Sequence, residues 1–180
     1  MNQEREKAIL MFRHGIQRVT IPDSIYTPLA AGILILIAGL FGLVLGRPLV
    51  FASLGPTALQ LAEYPEQRSS RGYNVIVGHL SGLAMGFAAV ALLHSWSAPS
   101  VLGVHELTLI RVWTSVLAIT LTSAVILVLR ASHPPAGATA LLVALGSFSN
   151  WSDVITVAIG VVLVGGLGEM FRYLRLYQFE

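Results

Sequence analysis

The chain contains no cysteine, which excludes disulfides, thiolate metal sites and a cysteine nucleophile. Charge is scarce as well. Lys, Arg, Asp and Glu make up 11% of 180 residues, against about 25% in a typical soluble domain. So few charges cannot cover a water-facing surface of this size. The formal net charge of +2 is small and the basic residues are dispersed, which offers nucleic acid no footprint. No histidine pair has metal-ligand spacing, and no GxSxG, HExxH or paired aspartate falls within an apolar run. No metal, no cofactor and no enzymatic activity are therefore expected. The first 25 residues lack the apolar stretch and small-residue cleavage site of a signal peptide, so insertion is expected to rely on the spans themselves.

What is abundant is apolar length. Hydrophobic residues reach 55% and the mean hydropathy is +0.76. Four runs, 27–46, 74–94, 110–130 and 154–174, each supply the ~20 residues that cross a ~30 Å hydrocarbon core. Backbone groups in lipid must pair internally, so these runs are predicted to be helices. Trp96, Trp113 and Trp151 lie near their ends, as interfacial tryptophans do. Residues 1–21 carry Ile9, Phe12, Ile16 and Val19 at helical spacing among charges, which predicts an interfacial amphipathic helix. Two further segments, 48–62 and 131–148, are apolar but short, and proline and glycine interrupt both.

Those two segments echo each other. Ala52-Ser53-Leu54-Gly55-Pro56 aligns with Ala131-Ser132-His133-Pro134-Pro135 at an offset of 79 residues. Asn74-Val75-Ile76 aligns with Asp153-Val154-Ile155 at the same offset, and Gly86 with Gly165. Thr57-Ala58-Leu59 matches Thr139-Ala140-Leu141 after a three-residue insertion. The expected fold is an all-α polytopic membrane protein forming one membrane domain over 1–180. It has four full transmembrane helices and two broken half-helix segments, arranged as repeat one (22–94) and repeat two (106–175). Paired interrupted segments in corresponding halves point to a transporter binding site.

Lys and Arg decide between topologies. If the broken segments re-enter, seven basic residues lie inside and four outside. If they cross, nine lie inside and two, Arg47 and Arg111, outside. The crossing arrangement fits better, places both termini in the cytoplasm, and makes the halves inverted repeats of three segments each.

The chemistry is expected at the breaks. Proline suits the first turn of a helix, and the residue before it is pushed out of the helical region. A helix is predicted from Pro135 through Thr139 to about Phe148, capped near Ser132 or His133. Its counterpart opens at Ser53, Gly55, Pro56 and Thr57 and ends at Ala62. A helix N-terminus attracts anions through its open N–H groups and dipole. Near the membrane midplane, two such ends would offer backbone donors, hydroxyls from Ser53, Thr57, Ser132 and Thr139, and close approach at Gly137. The bland reading is a pair of proline kinks that only shape packing. His133 either couples anion binding to protons or caps its helix. His79, in a row with Gly78, Gly82 and Gly86, serves either a pathway or a close helix contact. Arg130 and Arg47 end their spans as anion attractors or interfacial anchors, and Glu169 with Arg172 reads as a surface pair.

The stretch ASHPPAGATALL, together with ASLGPTA after the first span, resembles the HPP family of integral membrane proteins. The family takes its name from the motif that stands here as His133-Pro134-Pro135. The resemblance implies a four-span transport protein with nitrite as the leading substrate; residue by residue it carries over only those three positions. The resulting expectation is a multi-pass transporter of a small inorganic anion in a cell inner membrane. It would be proton-coupled through His133 and homo-oligomeric, as a dimer or trimer surrounded by lipid. The alternatives are an anion-selective channel and a non-transporting scaffold or regulatory subunit.

Overall fold

A computed structural model describes residues 21–148 and 150–177. Seven α-helices follow in order: α1 (Asp23–Leu45), α2 (Leu54–Glu63), α3 (Gly72–Leu92), α4 (Val101–Val104), α5 (Leu109–Val128), α6 (Ala136–Ala144) and α7 (Trp151–Tyr177). Short 3-10 turns occupy Arg68–Ser70 and Ser95–Ser97. No strand occurs among the described residues. The amphipathic helix expected over 1–21 lies outside them, save Ile21.

Helices α1, α3, α5 and α7 are long and apolar enough to cross a membrane, and each begins and ends within a few residues of the predicted run. Helices α2 and α6 have 10 and 9 residues, which is too short to cross alone. The proline grammar holds. Pro56 falls in the first turn of α2, and α6 starts directly after Pro135. The predicted end of α6 at Phe148 is four residues too long. Gly146 turns left-handed at φ +80, its N–H bonds Val143 O, and Ser147 N–H bonds Leu142 O. That pair of bonds is a Schellman stop. The same stop closes α1 at Gly46 and α5 at Arg130.

Gly46 reverses the chain, and the residues after it lie back along α1, with Leu49 against Gly42 and Val50 against Gly39. Along α7, Gly160 meets Leu49, Phe51 and Leu54, while Gly168 meets Leu61. Segment 47–63 therefore starts at one end of the bundle, where Arg47 donates to Ser152 Oγ (2.6 Å). It finishes at the other, where Ser70 Oγ donates to the Gln60 carbonyl. Segment 131–144 runs along α3 in the same way, with His133 against Gly78, Ala136 against Gly82 and Val143 against Gly86.

Two ends result. The Arg47 end gathers the start of α7 and the Trp96 turn; there Arg111 joins the start of α5 to the end of α6. The opposite, Arg130 end joins Asp23 to Arg175 and the Gly72 N–H to Glu169, and Tyr73 to the Leu129 carbonyl. Glu169 thus does more than pair with Arg172. It also accepts the first N–H of α3 at 2.8 Å, satisfying a donor that the helix cannot.

Lipid tails are as apolar as leucine, so helices here associate through close packing rather than expulsion of water. The core is accordingly built largely of alanine and valine with a few leucines: Ala30, Leu34 and Ala38 of α1, Ala58 and Leu61 of α2, Val157, Val161 and Val164 of α7. The glycine row of α3 is an internal seam with α6, not a free face. A Cβ at Gly82 would strike the Ala136 carbonyl, and one at Gly86 would lie 2.7 Å from Val143 Cβ. Large apolar side chains such as Leu43 and Val128 point outward, where lipid is their solvent.

Candidate functional site

Behind the two proline breaks, five polar side chains meet out of reach of solvent. Ser53, Thr57, His79, His133 and Thr139 are each 0% exposed. Ser53 and Thr57 come from the start of α2, His133 and Thr139 from the start of α6, and His79 from α3. The echo in sequence is thus a meeting in space.

Proton counting fixes the direction of each bond. Thr57 Oγ1 donates to the Ser53 carbonyl at 2.8 Å, and a hydroxyl has one proton to give. It must then accept from His79 Nε2, also 2.8 Å away. A neutral His79 protonated at Nε2 presents a lone pair at Nδ1, and Thr139 Oγ1 donates to it at 2.7 Å. Thr139 in turn accepts the Ser53 hydroxyl proton at 2.8 Å. The bonds close a ring that leaves Ser53 by its hydroxyl and returns to its carbonyl.

His133 stands beside this ring, its imidazole centroid 5.0 Å from that of His79. Its Nδ1 lies 2.8 Å from the Ser69 carbonyl. A carbonyl only accepts, so Nδ1 carries the proton and Nε2 the lone pair. That lone pair faces Thr57 Oγ1 at 3.4 Å, whose proton already serves the Ser53 carbonyl. His133 Nε2 is the position in the cluster that has room to take a proton.

Other expected residues lie apart from the ring. Ser132 is exposed, and its carbonyl accepts from Asn74. Gly55 has open space around it, and Gly137 faces Ile119 of α5 rather than the cluster. Pro134 and Pro135, with Pro56, Gln60 and Glu63, line a groove of about 540 Å³. Arg130 is exposed at its end of the bundle. The open N–H donors expected at the start of α6 are mostly taken. Those of Ala136, Gly137 and Ala138 bond the carbonyls of His133, Pro134 and Pro135, a 3-10 tightening that the consecutive prolines favour. Hydroxyls and imidazoles, not backbone amides, therefore dominate the polarity here. The cluster also sits off centre. His79 is seven residues into the 21 of α3, about 10 Å from its start at 1.5 Å per residue.

One participant was not foreseen. Ser69 contributes only a backbone carbonyl, which no side-chain pattern reveals. Away from the cluster, Arg111, which enters the sequence reading only in the count of basic residues, is 3% exposed and donates to the carbonyls of Ala98, Pro99 and Ala144. Among the described residues no group of three or more His, Cys, Asp or Glu could hold a metal ion.

Four spans, two short helices and a buried polar cluster define a multi-pass helical membrane protein. The family described as "HPP, transmembrane region" matches residues 16–178, and the chain belongs to it. No curated protein and no solved structure matches the chain.

Proposed function

We propose that this protein is a transporter of a small inorganic anion, with nitrite as the first candidate, and that its two halves work as inverted three-segment repeats. The observation that carries the reading is the sealed cluster, whose Ser53, Thr57 and His79 come from one half and His133 and Thr139 from the other. Ionisable side chains inside a membrane bundle are rare and are candidates for a pathway by default, and here two imidazoles lie together between the halves.

The contacts fit a two-fold relation between the halves. Exchanging the halves maps the α3–α6 packing onto α2–α7, the α3–α5 packing onto α1–α7, and α1–α2 onto α5–α6. Segments 47–63 and 131–144 enter at one end and leave at the other, which favours crossing over re-entry. Of the described basic residues, Arg68, Arg71, Arg130, Arg172 and Arg175 gather at one end, against Arg47 and Arg111 at the other. By the positive-inside rule that first end, and with it both termini, faces the cytoplasm of a cell whose inner membrane holds the protein.

Protonation of His133 Nε2 would place a cation beside the hydroxyls and draw an anion in with a proton. The groove at Pro56, Pro134 and Pro135 would be the cytoplasmic approach, since Thr57 and His133 adjoin those prolines in the chain. No cofactor and no catalytic residue enter this scheme. Six short segments enclose little volume, so a dimer or trimer is the proposed working unit.

In liposomes, nitrite uptake should saturate and should respond to an imposed pH gradient. His133→Ala should remove most of that pH response at unchanged expression; an unaltered pH profile would remove the coupling role. Linear, voltage-driven flux would make the protein an anion-selective channel. Absence of flux in every condition would make it a scaffold or regulatory subunit.

A further inference from the structure

We infer that Arg111 and the cavity beside it form a second anion site, at the Arg47 end and remote from the histidine cluster. The inference takes its ligand class from the transport reading, but its evidence is separate.

Arg111 is a buried guanidinium with no carboxylate. The ion pairs among the described residues are Arg172–Glu169 and Arg175–Asp23, and Arg111, 3% exposed, has no acidic neighbour within pairing distance. Its neutral partners are three carbonyls. Nε donates to Pro99 O at 3.2 Å, one terminal nitrogen to Ala144 O at 2.9 Å, and the other to Ala98 O. A guanidinium has five N–H groups, so two remain. Carbonyl dipoles orient the group and soften its burial, but they do not cancel a full charge, and an unpaired buried charge is expensive. A bound anion would supply both the missing charge and the acceptors for a forked pair of bonds.

There is room for one. A cavity of about 230 Å³ is lined by Arg111 together with Trp96, Ser100, Val143, Gly146 and Phe148. A water molecule has about 30 Å³ of the liquid, so the space suits an anion of a few atoms with some of its water. Gly146 keeps the approach clear. A Cβ there would strike the guanidinium, and its left-handed φ of +80 disfavours any side chain. Arg111 is thus fixed on one side by carbonyls and left open on the other. At the end opposite the His133 groove, it would concentrate anions at the second mouth of the pathway.

The test uses the full chain in detergent with Trp113→Phe and Trp151→Phe, leaving Trp96 in the cavity as the fluorescent reporter. Sodium nitrite, nitrate and chloride are titrated against gluconate at constant ionic strength. The expected result is a saturable change in Trp96 emission. Arg111→Gln should raise the half-saturating concentration by about tenfold or more, the loss associated with hydrogen bonds to a charged group. An equal response in wild type and Arg111→Gln, or none in wild type, overturns the site. If Arg111→Gln does not fold, phenylglyoxal modification of the wild-type protein, mapped by mass spectrometry, replaces it. Protection of Arg111 by nitrite supports the site and unprotected modification overturns it. Liposome flux is read separately. Flux without anion binding at Arg111 sinks this inference alone, and binding without flux sinks the transport reading alone.

Discussion

Arg130 occupies a seat built for glycine. Its φ is +52, and it closes α5 with the same two bonds that Gly46 makes at the end of α1. A non-glycine residue in this conformation costs roughly 1 kcal/mol. Arg130→Gly should therefore raise the thermal midpoint in detergent, and Arg130→Val should lower it, each by an amount corresponding to about 1 kcal/mol. A fall on Arg130→Gly would mean that the guanidinium itself holds the turn. At this scale the sequence was legible where chemistry and position coincide. Ser53, Thr57, His133 and Thr139 could be singled out because hydroxyl, imidazole and proline sit together at a helix break. Arg111 was not legible, because burial and the absence of a carboxylate are properties of the fold. Ser69 acts through an atom that every residue has.

At the scale of elements, α3 and α6 lie as close as they do because three glycines remove the side chains between them. Gly82→Ala would drive a methyl into the Ala136 carbonyl, and overpacking of this kind costs about 1–3 kcal/mol. Gly32 has nothing within 4 Å of the same added methyl, so Gly32→Ala should be neutral or stabilise α1 by up to about 1 kcal/mol. Thermal melts of the two variants check the contrast; equal melts would show that the seam has slack. The glycine spacing was readable in the sequence, but its partner was not. Periodicity says which residues share a face and is silent on what covers that face. The short helices were readable for a different reason, since proline dictates where a helix can start. The end of α2 fell within one residue of Ala62, but that of α6 was harder, because Leu145-Gly146 stops it inside an apolar run that could have continued it.

For the whole molecule, the question that decides most is which residues share a side of the membrane. Single cysteines replacing Arg68 and Arg130 should both be labelled by impermeant maleimide from the cytoplasmic side. A cysteine replacing Ser152, beside Arg47, should be labelled from the other side. Labelling of Arg68→Cys and Arg130→Cys from outside would overturn the six-crossing arrangement. Composition established the membrane class and hydropathy the four spans, because both sum over many residues. The course of the broken segments came through only weakly, in the count of basic residues. Trp96, Trp113 and Trp151 belong to the Arg47 end, while Tyr26, Tyr64, Tyr73 and Tyr173 belong to the other. The closed ring of hydrogen bonds has a mechanical consequence as well. The Ser53–Thr139 and His79–Thr139 bonds tie one half to the other, and His133 binds across to the Ser69 carbonyl. All three are short bonds between stiff or well-packed groups, with no long side chain to stretch. Separation of the halves by one or two ångströms would break them together, so the cluster acts as a clasp.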